Sequence, residues 1–212
     1  MNFSTDRDLL VLEPNVFRDV PFVSQQRLRV SDGAISGTTL TSASADFAAA
    51  EVDAGSVVLV DNRPLEVVSR NDANTLTVSL ARGSMAGAAL PPGDGTDLDV
   101  AMRTFAPQAA LVHDTLLRLV GIDPDDPDAA IDEDAIVSLG LMARLEALGT
   151  LERVYSAAVA IAGDNESLLQ KADQSRRAFH IALERANVLL DTDGDGHADT
   201  QRRPGLIRLV RV

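Results

Sequence analysis

The hydrophobic pattern of the chain changes its period once, near residue 104, and this change limits the possible folds most strongly. Between about Phe22 and Arg103, β-branched or alternating runs a few residues long are separated by turn residues, a pattern typical of antiparallel strands. These runs cover residues 27–30, 38–41, 57–60, 65–68, 75–80 and 98–103. About six strands at this spacing predict a small, closed or half-closed β-barrel.

From residue 104 onward, apolar residues recur at helical spacing, and we expect four helices. Thr104 is suited to cap the first helix, which would end at Gly121. The other three are predicted over about 134–148, 151–162 and from a cap at Asp164 or Asn165 to about 190. Short glycine turns between helices favour antiparallel packing. The predicted fold is therefore α+β, a small N-terminal β-barrel followed by an antiparallel α-helical bundle.

This pattern divides the chain into three segments. Residues 1–103 are predicted to form a β-rich, barrel-like domain and residues 104–190 a four-helix bundle. Residues 191–212 would form an Asp/Gly loop and a basic, strand-like C-terminal tail. Within the first segment, residues 86–97 are rich in Gly, Ala and Pro, and they predict a long loop that projects from the barrel.

Charge and composition argue against several classes of protein. The 212 residues include 19 basic and 32 acidic ones, so the net charge is −13, which disfavours general binding to nucleic acid or to anionic membranes. Cysteine is absent, which excludes disulfides and thiolate metal sites. The longest uncharged apolar run, 157–163, is too short to cross a bilayer, and the N-terminus lacks the layout of a signal sequence. We expect neither membrane insertion nor secretion.

The sequence carries no recognisable catalytic motif. It has neither a Gly-x-Ser-x-Gly sequence nor a Gly-Lys-Ser/Thr phosphate loop, and Gly93-Asp94-Gly95 lacks the third glycine of a dinucleotide-binding loop. His113 and His180 lie on predicted helices without an acidic partner at helical spacing, which is typical of ordinary histidines. We therefore expect that the protein is not an enzyme; a hydrolase with scattered carboxylates is the least favoured class.

The sharpest local pattern is residues 191–199, Asp-Thr-Asp-Gly-Asp-Gly-His-Ala-Asp. Oxygen ligands at alternating positions, followed by a glycine, can surround a hard cation such as Ca²⁺. The segment resembles the first nine positions of an EF-hand or dockerin-like loop, but its twelfth position is Arg202 instead of Glu. The candidate ligands are Asp191, Asp193, Asp195, His197 through its carbonyl, and Asp199. Alternatively, these residues only end the preceding helix with turns and side-chain caps.

The C-terminus reverses the sign of the charge. Residues 201–212 hold four arginines and no acid, and residues 206–212 are strand-like. A basic terminal strand can extend the edge of a neighbouring subunit's sheet by main-chain pairing, or it can pack on its own β-domain. The candidate partner-binding residues are Arg202, Arg203, Leu206, Ile207, Arg208, Leu209, Val210 and Arg211.

The segment 122–134 has the opposite charge, with seven carboxylates and two prolines. Such a composition is typical of a solvated loop, because like charges repel and each proline breaks helical hydrogen bonding. The functional alternative is an acidic surface that faces a basic partner or repels DNA. It could then meet the basic tail of an identical subunit.

The layout of residues 106–212 resembles that of a known family. It consists of an Ala-rich helix pair, a Gly-Asp break and a long helix that ends in the Asp/Gly loop; the residues that carry the likeness are 141–148, 155–160, 163–164, 171–173, 176–179 and 190–196. This layout is similar to that of the adaptor, or head–tail connector, proteins of tailed bacteriophages. In that family a small helical bundle, repeated around a ring, docks under the portal and extends the DNA channel, and chain termini reach neighbouring subunits.

The resemblance implies a structural protein of the virion neck that is made in the host bacterial cytoplasm. Its implied partners are copies of itself in a ring, by resemblance a dodecamer, the phage portal protein and other neck or tail proteins. DNA would pass through an acidic lumen without sequence-specific binding. The family has no catalytic residues to transfer and requires no cofactor, although Ca²⁺ remains a candidate ligand here. The alternative function is a calcium-dependent binding module that uses Asp191–Asp199.

Overall fold

The computed structural model of the chain describes residues 2–126, 128–129, 131–162 and 165–205. The chain divides into two compact units. One is Thr5–Ala106, and the other consists of Met1–Ser4 together with Pro107–Val212. Within the described residues the protein is α+β, with five α-helices and a closed barrel. None of these helices has an apolar stretch long enough to cross a membrane.

The predicted barrel is confirmed. In the described part of Thr5–Ala106, six antiparallel strands close in the order β1-β2-β5-β4-β3-β6. The strands are β1 (Gln26–Ser36), β2 (Thr39–Thr41), β3 (Val57–Val60), β4 (Arg63–Arg70), β5 (Thr75–Ser79) and β6 (Gly95–Arg103). β1 and β6 close the barrel, with Val30 opposite Val100 and a register shift before Gly33. Gly33 has no room for a Cβ because the Val100 side chain occupies that space.

Branched aliphatic side chains fill the interior of the barrel. The fully buried members of this core include Leu40, Phe47, Val52, Val58, Leu76, Val78 and Val100. All four residues of β3 are buried, although a strand with one solvated face would alternate. Helix α1 (Asp6–Leu12) contacts β3 and β4, which accounts for the second buried face. A shorter helix, α2 (Val16–Asp19), follows α1 and buries Phe17 against Phe105.

A buried ionic network ties α1 to the barrel. The fully buried Glu66 carboxylate on β4 accepts a hydrogen bond of 2.7 Å from Arg7 Nε and a second from Arg82 Nε. Arg7 Nη2 also donates to the carbonyl oxygen of Arg82 at 2.5 Å. One carboxylate thus holds α1 and the segment after β5 in place, and it neutralises charge that burial would otherwise make costly.

The second unit contains three long helices in its described residues rather than the predicted four. They are α3 (Ala106–Leu119), α4 (Leu139–Ala162) and α5 (Glu166–Arg185). The predicted break at Gly149 is wrong, because α4 continues through it. A Cβ at Gly149 would lie 2.7 Å from Val112 Cγ1 and 3.0 Å from the Phe179 ring. The glycine therefore permits close packing with α3 and α5, and it does not end the helix.

The predicted last helix is too long, and the helix predicted over 134–148 starts too early. Helix α5 ends at Arg185, and β7 (Val188–Leu190) pairs with β8 (Thr200–Arg202). Val188 and Leu190 are buried while Leu189 is 39% exposed, which is the period of a strand. Ile136 forms a β-bridge with Leu190 and follows a 3₁₀ turn, Glu133–Ala135. These residues are therefore outside α4, since pairing with β7 satisfies their backbone groups.

Candidate functional site

The Asp/Gly segment forms the connection of a short β-hairpin. β7 and β8 pair with Val188 opposite Arg202 and Leu190 opposite Thr200, so residues 191–199 make up the loop between them. The loop is exposed apart from Asp191, which is half-buried. A hairpin fixes the two ends of the loop close together, and this brings carboxylates at alternating positions towards one another.

Three of the five predicted ligands come together in the loop. One carboxylate oxygen each from Asp191, Asp193 and Asp195 lies within 4.8 Å of the others, which is close enough for a shared cation. Asp199 has a different role: its carboxylate accepts hydrogen bonds from the backbone N–H and the hydroxyl of Thr192. The predicted ligation by Asp199 and by the carbonyl of His197 remains a prediction.

Backbone hydrogen bonds organise the loop around Asp191. Its two carboxylate oxygens accept from Gly194 N at 2.8 Å and from Gly196 N at 2.7 Å. Both glycines have positive φ, 77° and 85°, a conformation that side chains disfavour. The hydrogen bond from Gly196, followed by that from Gly194, lowers the pKa of Asp191 because each stabilises the carboxylate form. The same hydrogen bonds would also be expected in a loop that forms turns and binds no cation.

Two further carboxylates lie beside the loop. Asp132 and Asp134 line a cavity of about 220 Å³ together with Asp191. The sequence assigns them to the acidic segment 122–134, and nothing in their spacing connects them to residue 191. The connection arises from tertiary pairing, since Asp191 N donates to the Ala135 carbonyl next to the Ile136–Leu190 bridge.

Of the predicted partner-binding residues, Arg202 and Arg203 are described, and they line a cavity of about 530 Å³ with Arg118. Arg118 pairs with Asp123 at 2.9 Å and with Asp125 at 2.5 Å. The hydrogen bond to Asp125 raises the pKa of the Arg118 guanidinium. The remaining candidates, Leu206, Ile207, Arg208, Leu209, Val210 and Arg211, lie outside the described residues.

An apolar groove between α4 and α5 is a feature that the sequence analysis missed. Its volume is about 330 Å³, and its apolar lining is Leu141, Leu145, Leu148, Ala178, Ile181, Ala182 and Ala186. Arg144 and Arg185 also line it. Ile181 is 48% exposed. Amphipathic spacing predicts that apolar residues of a helix face the core. Only the tertiary structure shows which of these apolar residues are exposed instead.

His113 has acidic partners, contrary to the sequence analysis. Its Nδ1 lies 3.0 Å from Glu146 Oε2 and its Nε2 lies 3.1 Å from Glu133 Oε2. Glu146 is fully buried and also accepts hydrogen bonds from the N-terminal residues Phe3 and Ser4. These partners are 33 and 20 residues away in the chain, so helical spacing could not reveal them. His180 is exposed and contacts the Phe179 ring.

Comparisons of this chain with protein-family models, with curated proteins and with solved structures give no match.

Proposed function

We propose that the protein is a non-enzymatic structural subunit that assembles as a ring in the neck of a tailed bacteriophage. In this proposal the ring docks on the portal protein and extends the DNA channel towards the tail. Helices α3, α4 and α5 form the helical bundle that is repeated around the ring. The assembly takes place in the host bacterial cytoplasm, and other neck or tail proteins bind the ring in the virion.

The observation that carries this proposal is the uncovered apolar groove between α4 and α5. Leu141, Leu148 and Ile181 line it and remain at least partly exposed. Burying such surface stabilises an assembly by about 25 cal/mol per Å². In a ring, a neighbouring copy would cover this groove and remove its apolar lining from water.

The occupant that we propose is the C-terminal segment Leu206–Val212 of the adjacent copy. The last described residue, Gly205, lies against the end of α5: a Cβ there would be 2.8 Å from Glu184 Cα and 2.9 Å from the Leu183 carbonyl oxygen. Gly205 is thus at the C-terminal end of α5, the helix that also contributes Ile181 and Ala182 to the groove. Five of its seven residues are apolar, and in extended form it reaches about 23 Å.

Two different patches, one a groove and the other a tail, create a head-to-tail contact. Contacts of this type close into rings when the rotation between copies is an exact fraction of a turn. The net charge of −13 is also compatible with a channel for DNA, because an acidic lumen repels phosphates and lets the duplex pass without binding. Twelve copies follow from the family resemblance.

Mass photometry of the purified protein, alone and with a portal ring, tests this proposal. We expect an annular oligomer for the full chain and a loss of assembly for a variant that lacks residues 206–212. Ile181→Glu places a charge in the groove and should have the same effect. Ile161→Glu is the matched control, because Ile161 is 75% exposed on α4 and does not line the groove. Equal assembly of all variants, or a full chain that stays monomeric with the portal, would contradict the proposal.

The second candidate is a calcium-dependent binding module based on the hairpin loop. The observation that favours it is the approach of Asp191, Asp193 and Asp195 to within 4.8 Å, with Gly196 at the sixth position and φ of 85°. Calorimetric titration with Ca²⁺ should then give a Kd on the order of 10⁻⁶ M, and saturation should raise the Tm. D193N/D195N should abolish the heat, and Asp114→Asn on α3 is the control. An absence of heat from the unaltered protein would exclude this candidate.

A further inference from the structure

The geometry points to a binding site for an acidic peptide segment of a partner protein at the cavity lined by Arg118, Arg202 and Arg203. Its volume is about 530 Å³, and Gln201, Leu119 and Val120 also contribute to the lining. Three arginines line this one cavity, although the net charge of the chain is −13. A cavity of this kind combines positive charge with apolar wall, and that combination is complementary to a peptide with carboxylates and small apolar side chains.

Arg118, one of the lining residues, already pairs with carboxylates of this chain. It holds the Asp123 and Asp125 carboxylates, which lie on either side of Pro124, at 2.9 and 2.5 Å. Half of the Arg118 side chain is exposed, and so is at least half of each carboxylate, so these pairs exchange with solvent at little cost. Arg118 therefore binds two carboxylates that are two residues apart in a turn.

Arg118 is already paired with carboxylates, so we assign the binding of a peptide mainly to Arg202 and Arg203. Both are exposed, and within the described ranges neither forms an ion pair with a carboxylate. Arg202 lies beside Gly121: a Cβ at that glycine would be 4.0 Å from Arg202 Nη1, an ordinary contact distance. The position is at the C-terminal end of α3, where the helix dipole favours positive charge. Arg202 and Arg203 thus line the same cavity as Arg118, and guanidinium groups can bind carboxylates in bidentate geometry.

A nucleic acid fits this cavity less well than a peptide does. Duplex DNA carries one charge per about 1.7 Å of its axis, so its phosphates would meet the carboxylates of Asp123 and Asp125 beside Arg118. A flexible peptide can place some of its carboxylates on the guanidinium groups and an apolar side chain on Leu119, which is 43% exposed. The expected ligand is therefore a segment of the Asp-Pro-Asp-Asp type rather than a polyphosphate.

Fluorescence anisotropy tests this site with a labelled synthetic peptide of residues 122–134 as the probe. We expect the full-length protein to bind the peptide, with an affinity that falls as salt rises above about 50 mM. R202Q/R203Q should weaken binding by about tenfold or more, since two charge-assisted contacts are lost. R202K/R203K keeps the charge and should retain part of the affinity. R153Q/R177Q makes the same change of charge at exposed positions of α4 and α5 and should bind normally.

Several outcomes would overturn the inference. One is the absence of peptide binding to the unaltered protein, and another is equal binding by R202Q/R203Q and the unaltered protein. A third is tighter binding of a DNA duplex or of inorganic phosphate than of the peptide in competition. None of these measurements depends on ring assembly, so the acidic-peptide site and the proposed neck function succeed or fail separately.

Discussion

The Nδ1 atom of His113 on α3 lies 3.0 Å from the Oε2 atom of Glu146 on α4, and Glu146 is fully buried. The same carboxylate accepts hydrogen bonds from Phe3 N at 3.0 Å, Ser4 N at 2.8 Å and Ser4 Oγ at 2.7 Å. The Phe3 ring stacks on the imidazole with a centroid distance of 4.4 Å. A single glutamate thus joins two helices and the N-terminal residues of the same unit.

Replacing this glutamate should destabilise the protein strongly. Glu146→Gln puts an amide NH₂ group where donors point, and a buried pair that loses one partner costs about 3 to 5 kcal/mol. Urea denaturation should show this loss in the free energy of unfolding. Glu184→Gln, an exposed position on α5, is the control and should change it by less than about 0.5 kcal/mol. Similar values for the two variants would mean that the Glu146 network does not stabilise the fold.

The Glu66 network in the barrel unit should behave in the same way. Glu66→Gln removes the carboxylate that pairs with both Arg7 and Arg82, whose side chains are only 8% and 6% exposed. Arg7 keeps only the longer carboxylate contact of 3.7 Å with Asp8. We expect a loss of about 3 to 5 kcal/mol in the free energy of unfolding. Glu51→Gln breaks the exposed pair with Arg27 and should cost less than about 1 kcal/mol. A Glu66→Gln variant as stable as Glu51→Gln would refute the role given to the network.

Two glycines of α4 should respond to alanine with opposite signs. At Gly149 the new methyl group would meet Val112 Cγ1 at 2.7 Å and the Phe179 ring at 3.0 Å, and such overpacking costs about 1 to 3 kcal/mol. At Gly140 nothing lies within 4 Å of the added Cβ, so the helix propensity of alanine should stabilise by up to about 1 kcal/mol. Thermal unfolding monitored by circular dichroism measures both changes. A rise in Tm for Gly149→Ala would show that the helices have room to separate.

Asp6 should make stability fall as pH rises. Burial raises the pKa of its carboxyl group from 3.8 to about 6, although the Phe105 N–H bond opposes this. Between these two values the folded protein binds more protons than the unfolded chain, so the free energy of unfolding decreases with pH. At about 1.4 kcal/mol per pKa unit, the total decrease is about 3 kcal/mol.

Asp6→Asn should remove this part of the pH dependence, because the amide oxygen still accepts from Phe105 N and carries no charge. The measurement is the difference in unfolding free energy between the variant and the unaltered protein, followed from about pH 4 to about pH 7. The variant should gain relative stability across this range. Asp114→Asn, at an exposed position, is the control. Parallel pH curves for Asp6→Asn and the unaltered protein would contradict the prediction.

The sequence predicted correctly those elements that depend on residues close together in the chain. Strand β3 occupies 57–60 as predicted, because four β-branched or aliphatic residues between turn residues have few alternatives. The Asp/Gly loop is also local, and three of its carboxylates converge through turns made by residues at most five positions apart. By contrast, Gly149 carries the same local signal as a true helix end, and only its contacts with Val112 and Phe179 distinguish the two cases.

By itself, the sequence determined the change from strands to helices near residue 104, the number of barrel strands and the position of the acidic loop, since these depend on periodicity and on turn chemistry within a few residues. Only the tertiary structure decided that α4 is continuous and that residues 188–190 form a strand with 200–202. It also decided that Glu146 meets His113 and that Arg118 meets Arg202 at one cavity. Those features join residues far apart in the chain, and the free energy of such contacts depends on packing, which a local pattern does not contain.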